Sequence, residues 1–132
     1  MNHRRAVRAS TVISMLAASP FSFAAAFAQS ADVDAGRVVF NRCKICHTVD
    51  AGGRHTLGPN LHGIYGRKAA TIEGFAYSEA LKNSEITWDD ETLARYLKDP
   101  KDAIPGNRMA FPGVKNEREM ADLLAYLKDA TK

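Results

Sequence analysis

Cysteine is scarce in this chain: of 132 residues only Cys43 and Cys46 carry thiols, three positions apart. So few excludes a multi-bridge disulfide framework, and closing so short a loop gains little chain entropy. A zinc site lacks its second ligand pair, because His3, His55 and His62 show no finger spacing. No stretch alternates apolar and polar residues over strand length. That absence removes the βαβ context a thioredoxin-like dithiol needs. No repeat or low-complexity tract interrupts the chain, so one small domain is expected. No acidic residue precedes Asp32, which sets the first part of the chain apart from the fold.

That first part reads as a leader. Arg4, Arg5 and Arg8 form a basic start, followed by 23 uncharged residues from Ala9 to Ala31. Ala26-Phe27-Ala28 is a small-x-small cleavage pattern, so residues 1–28 are expected to be a secretory signal peptide cut before Gln29. Arg4-Arg5 also permits a twin-arginine signal; general secretion, which delivers an unfolded chain, suits the chemistry below better. A mitochondrial presequence should be amphipathic rather than carry one apolar block. Left uncleaved, the run is long enough to anchor the chain in a bilayer.

Cleavage changes the charge argument. The full chain has 18 Lys+Arg against 15 Asp+Glu, and losing Arg4, Arg5 and Arg8 leaves 15 of each. Nucleic-acid binding loses its support, since the domain at 29–132 has no basic excess. Docking must then use local charge asymmetry.

What is present is more specific. Cys43-Lys44-Ile45-Cys46-His47 has the spacing C-x-x-C-H, the attachment signature of c-type haem. On one helical turn the two thiols share a face and each meets one vinyl group, while the imidazole reaches under the ring to iron. A domain of this size is marginal for an apolar core of its own, and a covalent haem supplies a large apolar surface.

Around this motif the spacing predicts an all-α fold with long loops. Met120, Leu123, Leu124 and Leu127 recur at i, i+3, i+4, i+7, with Asn116 as N-cap. A second helix is expected from about Thr87, with Asp90 at capping-box spacing, burying Leu93, Tyr96 and Leu97 and stopping before Pro100. A first helix is expected from about Val33 to Cys46, and a short turn at Glu79 to Asn83. Residues 48–77 hold six of the nine glycines and no helical period. So long a loop is expected to obtain its packing from the haem.

The iron's other face points to Met109. It lies in Ile104-Pro105-Gly106-Asn107-Arg108-Met109-Ala110-Phe111-Pro112-Gly113, where two Pro-Gly pairs bracket a tight loop. Met also fills core gaps, as Met120 is expected to do, but the loop setting favours ligation. A His/Met axial pair raises the haem potential.

Cys43–His47, Gly-Pro-Asn-Leu-His-Gly at 58–63, Ile-Thr-Trp at 86–88 and Pro-Gly-Asn-Arg-Met at 105–109 together resemble a class I, mitochondrial-type cytochrome c. The resemblance spans residues 32–132, and the leader places the chain with bacterial periplasmic relatives. It implies a small cytochrome c fold: three main helices, short helical turns and long loops around one haem c. It further implies thioethers from Cys43 and Cys46, iron ligation by His47 and Met109, and a Pro59 carbonyl accepting from the His47 ring. Tyr77 and Trp88 resemble the haem-propionate donors, Arg67 the nearby cation, and Tyr96 the tyrosine that donates to the methionine sulfur. Phe111 resembles the aromatic shielding the haem edge. Gly36, Phe40, Leu123 and Tyr126 resemble the contact between first and last helices.

Departures accompany the match. Gly36 stands seven residues before Cys43, one fewer than in animal and fungal members, and Leu81 replaces an asparagine near buried water. Asp102 and Asn116 replace docking-ring lysines, while Arg42, Lys101, Arg108 and Lys115 remain. The expected function is a monomeric, non-enzymatic one-electron carrier of the periplasm. Its partners would be membrane electron-transfer complexes, respiratory or photosynthetic, or periplasmic dehydrogenases. A haem enzyme or gas sensor, in which Met109 leaves the iron, is the rival.

Overall fold

The computed structural model describes residues 30–132; the leader and its cleavage point lie outside them. Five helices follow in order: α1 Val33–Phe40, α2 Glu79–Lys82, α3 Asp90–Lys98, α4 Pro100–Ala103 and α5 Glu117–Ala130. Three are substantial, two are single turns, and the described residues contain no strand. The all-α expectation holds.

The frame is the crossing of α1 and α5. Asp32 caps α1 by accepting from the Asp34 and Ala35 amides, and Asn116 caps α5 by accepting from Glu119; each satisfies amides that have no helical partner. Gly36 is where the helices meet. A Cβ there would lie 1.9 Å from the Asp122 carbonyl oxygen and 2.7 Å from Tyr126 Cβ, so only glycine permits this approach. Beside it Phe40 stacks on Tyr126 with ring centroids 5.1 Å apart, and Leu123 is fully buried. These are the residues the resemblance assigns to that contact.

Two boundaries differ from expectation. The first helix ends at Phe40 rather than Cys46, because the Asn41, Arg42 and Cys43 amides bond three residues back, to Val38, Val39 and Phe40. The helix thus tightens into a 3₁₀-type winding. The third helix begins at Asp90, not near Thr87. The Ile86 and Trp88 carbonyls accept from Ala69 and Gly66, and the Trp88 amide donates to Arg67, so residues 86–88 stay extended. The capping box is Asp89 with Thr92, closed by bonds of 2.8 and 2.9 Å. Pro100 ends α3 as expected, yet it also opens α4 from its first position with Asp99 as cap, where its missing N–H is harmless.

Two apolar clusters flank the interior. One gathers Ile64, Trp88, Leu93, Tyr96 and Ile104. The other gathers Val39, Phe40, Val114, Leu123 and Leu127, with Met120 packed against its margin as its core role predicts. Leu61, Tyr65 and Leu97 touch both. The long loop also carries its own polar scaffold. Buried Asn60 donates to Thr48 Oγ1 at 2.7 Å and to the Asp50 carbonyl at 3.0 Å. His55 accepts from the Asn60 amide on Nδ1 and donates from Nε2 to the Glu73 carbonyl, both at 2.9 Å. One neutral imidazole thereby joins two arms of the loop.

Candidate haem site

The two thiols and the imidazole leave α1 on a tight winding. The Cys46 and His47 amides both donate to the Cys43 carbonyl, at 3.0 and 2.9 Å, which keeps the pentapeptide wound although the regular helix has ended. Both cysteines are free and partly buried. Burial pushes the Cys43 thiol up to about 11, against the opposing pull of the Arg42 charge.

His47 is fixed from its far side. Its Nδ1 lies 2.8 Å from the Pro59 carbonyl. A carbonyl only accepts, so Nδ1 carries the proton and Nε2 keeps its lone pair. Burial lowers the His47 pKa, with the Pro59 bond acting in the other direction; the ring is neutral and ready to ligate. Gly58 makes the approach possible, because a Cβ there would come 2.3 Å from His47 Cε1. The Gly58 amide donates to the Cys46 carbonyl at 2.8 Å, and the Thr56 hydroxyl donates to the same oxygen.

Met109 packs against the cluster of Trp88 and Tyr96. Tyr96 stacks on Trp88 at 5.2 Å, and burial raises its phenol to about 12, so it stays a donor. The Tyr96 hydroxyl donates to Asn107 Oδ1 at 3.3 Å. Asn107 also accepts from the Met109 amide at 2.9 Å. Sequence reasoning passed over Asn107; its only signal is an amide residue two positions before the candidate ligand.

The other assigned residues are placed as follows. Trp88 and Tyr77 are buried. Tyr77 meets Phe75 edge-on at 4.9 Å. Its phenol is raised by burial, with the Arg67 charge and a bond from the Ile72 amide opposing, so Tyr77 keeps its own proton for a further acceptor. Arg67 donates to the His62 carbonyl at 2.7 Å. Phe111 packs against the second cluster, as does Cys43. Of the four expected docking cations, two are already engaged: Arg42 pairs with Glu119 at 2.6 Å and Lys115 with Asp99 at 3.2 Å. Lys101 and Arg108 are exposed and form no ion pair among the described residues. Ile45, between the thiols in sequence, and Leu57, between Thr56 and Gly58 that bond the Cys46 carbonyl, are exposed apolar side chains.

These residues fit a haem. Two unpaired thiols stand on one winding, a neutral imidazole has its second nitrogen free, and two apolar clusters border them. Such a site on three helices defines a domain that holds haem covalently. The cytochrome c family model matches residues 33–131, and the chain belongs to the cytochrome c family. It is 49% identical to cytochrome c2 of Blastochloris viridis over 110 residues, which are 82% of this chain and 87% of that one. It is 52% identical to cytochrome c2 of Rhodoplanes tepidamans over 96 residues, 73% and 90% of the two chains. It is also 46% identical to cytochrome c of Nigella damascena over 105 residues, 79% and 95% of the two chains. The family carries one covalent haem c, for which Cys43 and Cys46 supply the attachment, and its members are electron carriers.

Proposed function

We propose that this chain is a periplasmic one-electron carrier whose haem iron is held between His47 Nε2 and the Met109 sulfur. The observation that carries the reading is the 2.8 Å bond from His47 Nδ1 to the Pro59 carbonyl, which leaves Nε2 as the free ligating nitrogen. The haem, when bound, supplies a one-electron iron couple whose potential a His/Met pair raises. The protein's part is positional. Cys43 and Cys46 would hold the ring covalently, and the Pro59 bond restrains His47 from rotating. Tyr77, Trp88 and Arg67 supply donors for acidic substituents, and Phe111 shields the edge. With His47 and Met109 both engaged, the haem would keep no open site for a substrate, which supports a carrier over an enzyme or gas sensor.

Two supports bear on location and partners. Residues 1–28 have the pattern of an export signal, and no helix among the described residues is long and apolar enough to cross a membrane. The cations Lys101 and Arg108, with Arg42 and Lys115 in weaker supply because each is paired, would steer a partner with an acidic face. The rate would then fall with salt. Membrane electron-transfer complexes and periplasmic dehydrogenases have the matching chemistry.

The test is spectroscopic, on the exported haem-loaded protein. The oxidised form should show the weak near-infrared band of a sulfur–iron bond, and the reduced form should not take up carbon monoxide at neutral pH. Absence of that band together with ready carbon monoxide binding overturns the carrier reading. Intact mass of the same sample reports signal removal and covalent haem at once.

A further inference from the structure

We infer that Asn107 is the positioning residue that sets how firmly Met109 stays on the iron. The inference rests on the reading of Met109 as axial ligand. The Asn107 side chain makes four bonds, more than any other in the loop that bears Met109. Its Nδ2 donates to the Pro100 carbonyl at 2.6 Å and to the Ile104 carbonyl at 2.8 Å. Its Oδ1 accepts from the Met109 amide at 2.9 Å and from the Tyr96 hydroxyl at 3.3 Å. Carbonyls only accept and an amide N–H only donates, so these partners fix which way the side-chain amide points. All its stronger hydrogen-bonding capacity is spent.

The geometry ties three elements to one planar group. Pro100 and Ile104 bound α4, Tyr96 lies on α3, and Met109 hangs two residues beyond Asn107 on the loop. Downstream, the loop is fastened again where the Val114 amide donates to the Leu97 carbonyl at 2.8 Å. A Cβ at Gly113 would lie 2.1 Å from the Lys98 carbonyl oxygen, so this second clamp is tight. Between the clamps the Met109 backbone has one further bond, from the Phe111 amide to the Met109 carbonyl at 3.0 Å. Displacement of the Met109 backbone therefore strains or breaks the Asn107 contacts. Leu81 has no polar side chain with which to supply an alternative.

A foreign ligand must displace Met109, so its apparent affinity scales with the fraction of molecules in which the methionine has swung away. Removing the side-chain amide should raise that fraction. At the usual net worth of a hydrogen bond, loss of one or two bonds corresponds to about tenfold.

The experiment measures imidazole binding to the oxidised, haem-loaded full-length protein, with the reduction potential alongside. Asn107→Ala should bind imidazole about tenfold more tightly than the unaltered protein and show a lower potential. Asn107→Ser, whose hydroxyl can accept from the Met109 amide, should recover part of the difference. It also gives the reading if the alanine variant does not take up haem. Tyr65→Phe is the control for general loosening. It removes the bond from the Tyr65 hydroxyl to the Leu124 carbonyl and should lower the unfolding midpoint with imidazole affinity unchanged. The inference is overturned if both Asn107 variants bind imidazole within about twofold of the unaltered protein, or if Tyr65→Phe tightens imidazole as much as they do. Met109→Ala separates this from failure of the ligation itself. If the unaltered protein already binds imidazole as tightly as Met109→Ala, the axial assignment fails and Asn107 has nothing to position.

Discussion

The chain fastens His47 and Met109 by different means, although both lie near Pro-Gly or Gly-Pro pairs in segments with little regular structure. Around His47 the bonds end mostly on backbone carbonyls and are spread over several residues, the Thr56 hydroxyl and the Asn60 side chain adding to them. The Pro59 carbonyl takes the ring proton, and the Cys43 and Cys46 carbonyls take the amides of His47 and Gly58. The Leu61 amide returns to the Thr48 carbonyl at 2.8 Å. Around Met109 the equivalent work falls to the side chain of Asn107. Backbone bonds depend on no particular side chain, while a hub residue concentrates the same task in one amide group. The imidazole side is thus spread over many contacts, while the thioether side is adjustable through one residue.

The strongest way to break this asymmetry is to part the frame that supports the imidazole side. Gly36→Ala places a methyl 1.9 Å from the Asp122 carbonyl oxygen, an overlap that backbone cannot relieve by a rotamer change. A loss of about 3 kcal/mol or more is expected, measured as a lower denaturant midpoint of the haem-loaded protein. A loss below about 0.5 kcal/mol, the range of surface changes, means that the α1–α5 contact is looser than drawn. Gly58→Ala acts on the ring itself, because its Cβ would meet His47 Cε1 at 2.3 Å. The expected cost is about 1–3 kcal/mol, with a displaced His47 signature in the haem spectrum. An unchanged spectrum would show that the Pro59 loop yields where it is expected to hold.

The difference between the two sides also explains what could be read from residues alone. Cys43, Cys46 and His47 are contiguous, and their chemistry requires that spacing, so they are legible without structure. The α5 stripe of Leu123 and Leu127 is legible for the same reason, since its period is local. The start of α3 is not. Residues 86–88 are held extended by Gly66, Arg67 and Ala69, some twenty positions away, and no window of sequence contains both segments. Asn107 escaped because its four partners lie on α3, around α4 and in the loop, and polar hubs have no periodicity. Pro100 shows a third case: a helix-stopping residue was recognised, but its second role of opening α4 depends on Asp99 accepting from Asp102 at 3.2 Å.

On the adjustable side, Met109→Ala should leave the haem covalently attached, because the thioether bonds depend on Cys43 and Cys46. It should open the iron to carbon monoxide and lower the reduction potential by on the order of 0.1 V, a modest part of the ~0.8 V that axial ligation spans. A potentiometric titration with intact mass on the same sample reads both. Loss of covalent haem in this variant removes Met109 from the role assigned to it. A potential within about 0.02 V of the unaltered protein, small against that span, means that another residue fills the position.

The smallest expected effect concerns how the imidazole side is held at low pH. Asp122, buried on α5, accepts from the Asp32 amide at 2.7 Å and from Arg118 Nε at 3.0 Å. These bonds hold its carboxyl below the usual carboxylate range, the Asp32 amide contributing most. A carboxyl depressed in the folded state stabilises it fully above the unfolded value of about 3.9 and ceases to do so as pH falls through the folded value. Asp122→Asn keeps an oxygen for the Asp32 amide but gives up the charge. The variant should melt lower than the unaltered protein at neutral pH, and the gap should close as the buffer is taken below the carboxylate range. Because α1 leads into the 43–47 winding, the loss should appear in the unfolding midpoint while the near-infrared band, which reports Met109, stays in place. A gap that persists unchanged into acid would mean that packing, not the ionised carboxylate, ties the start of α1 to α5.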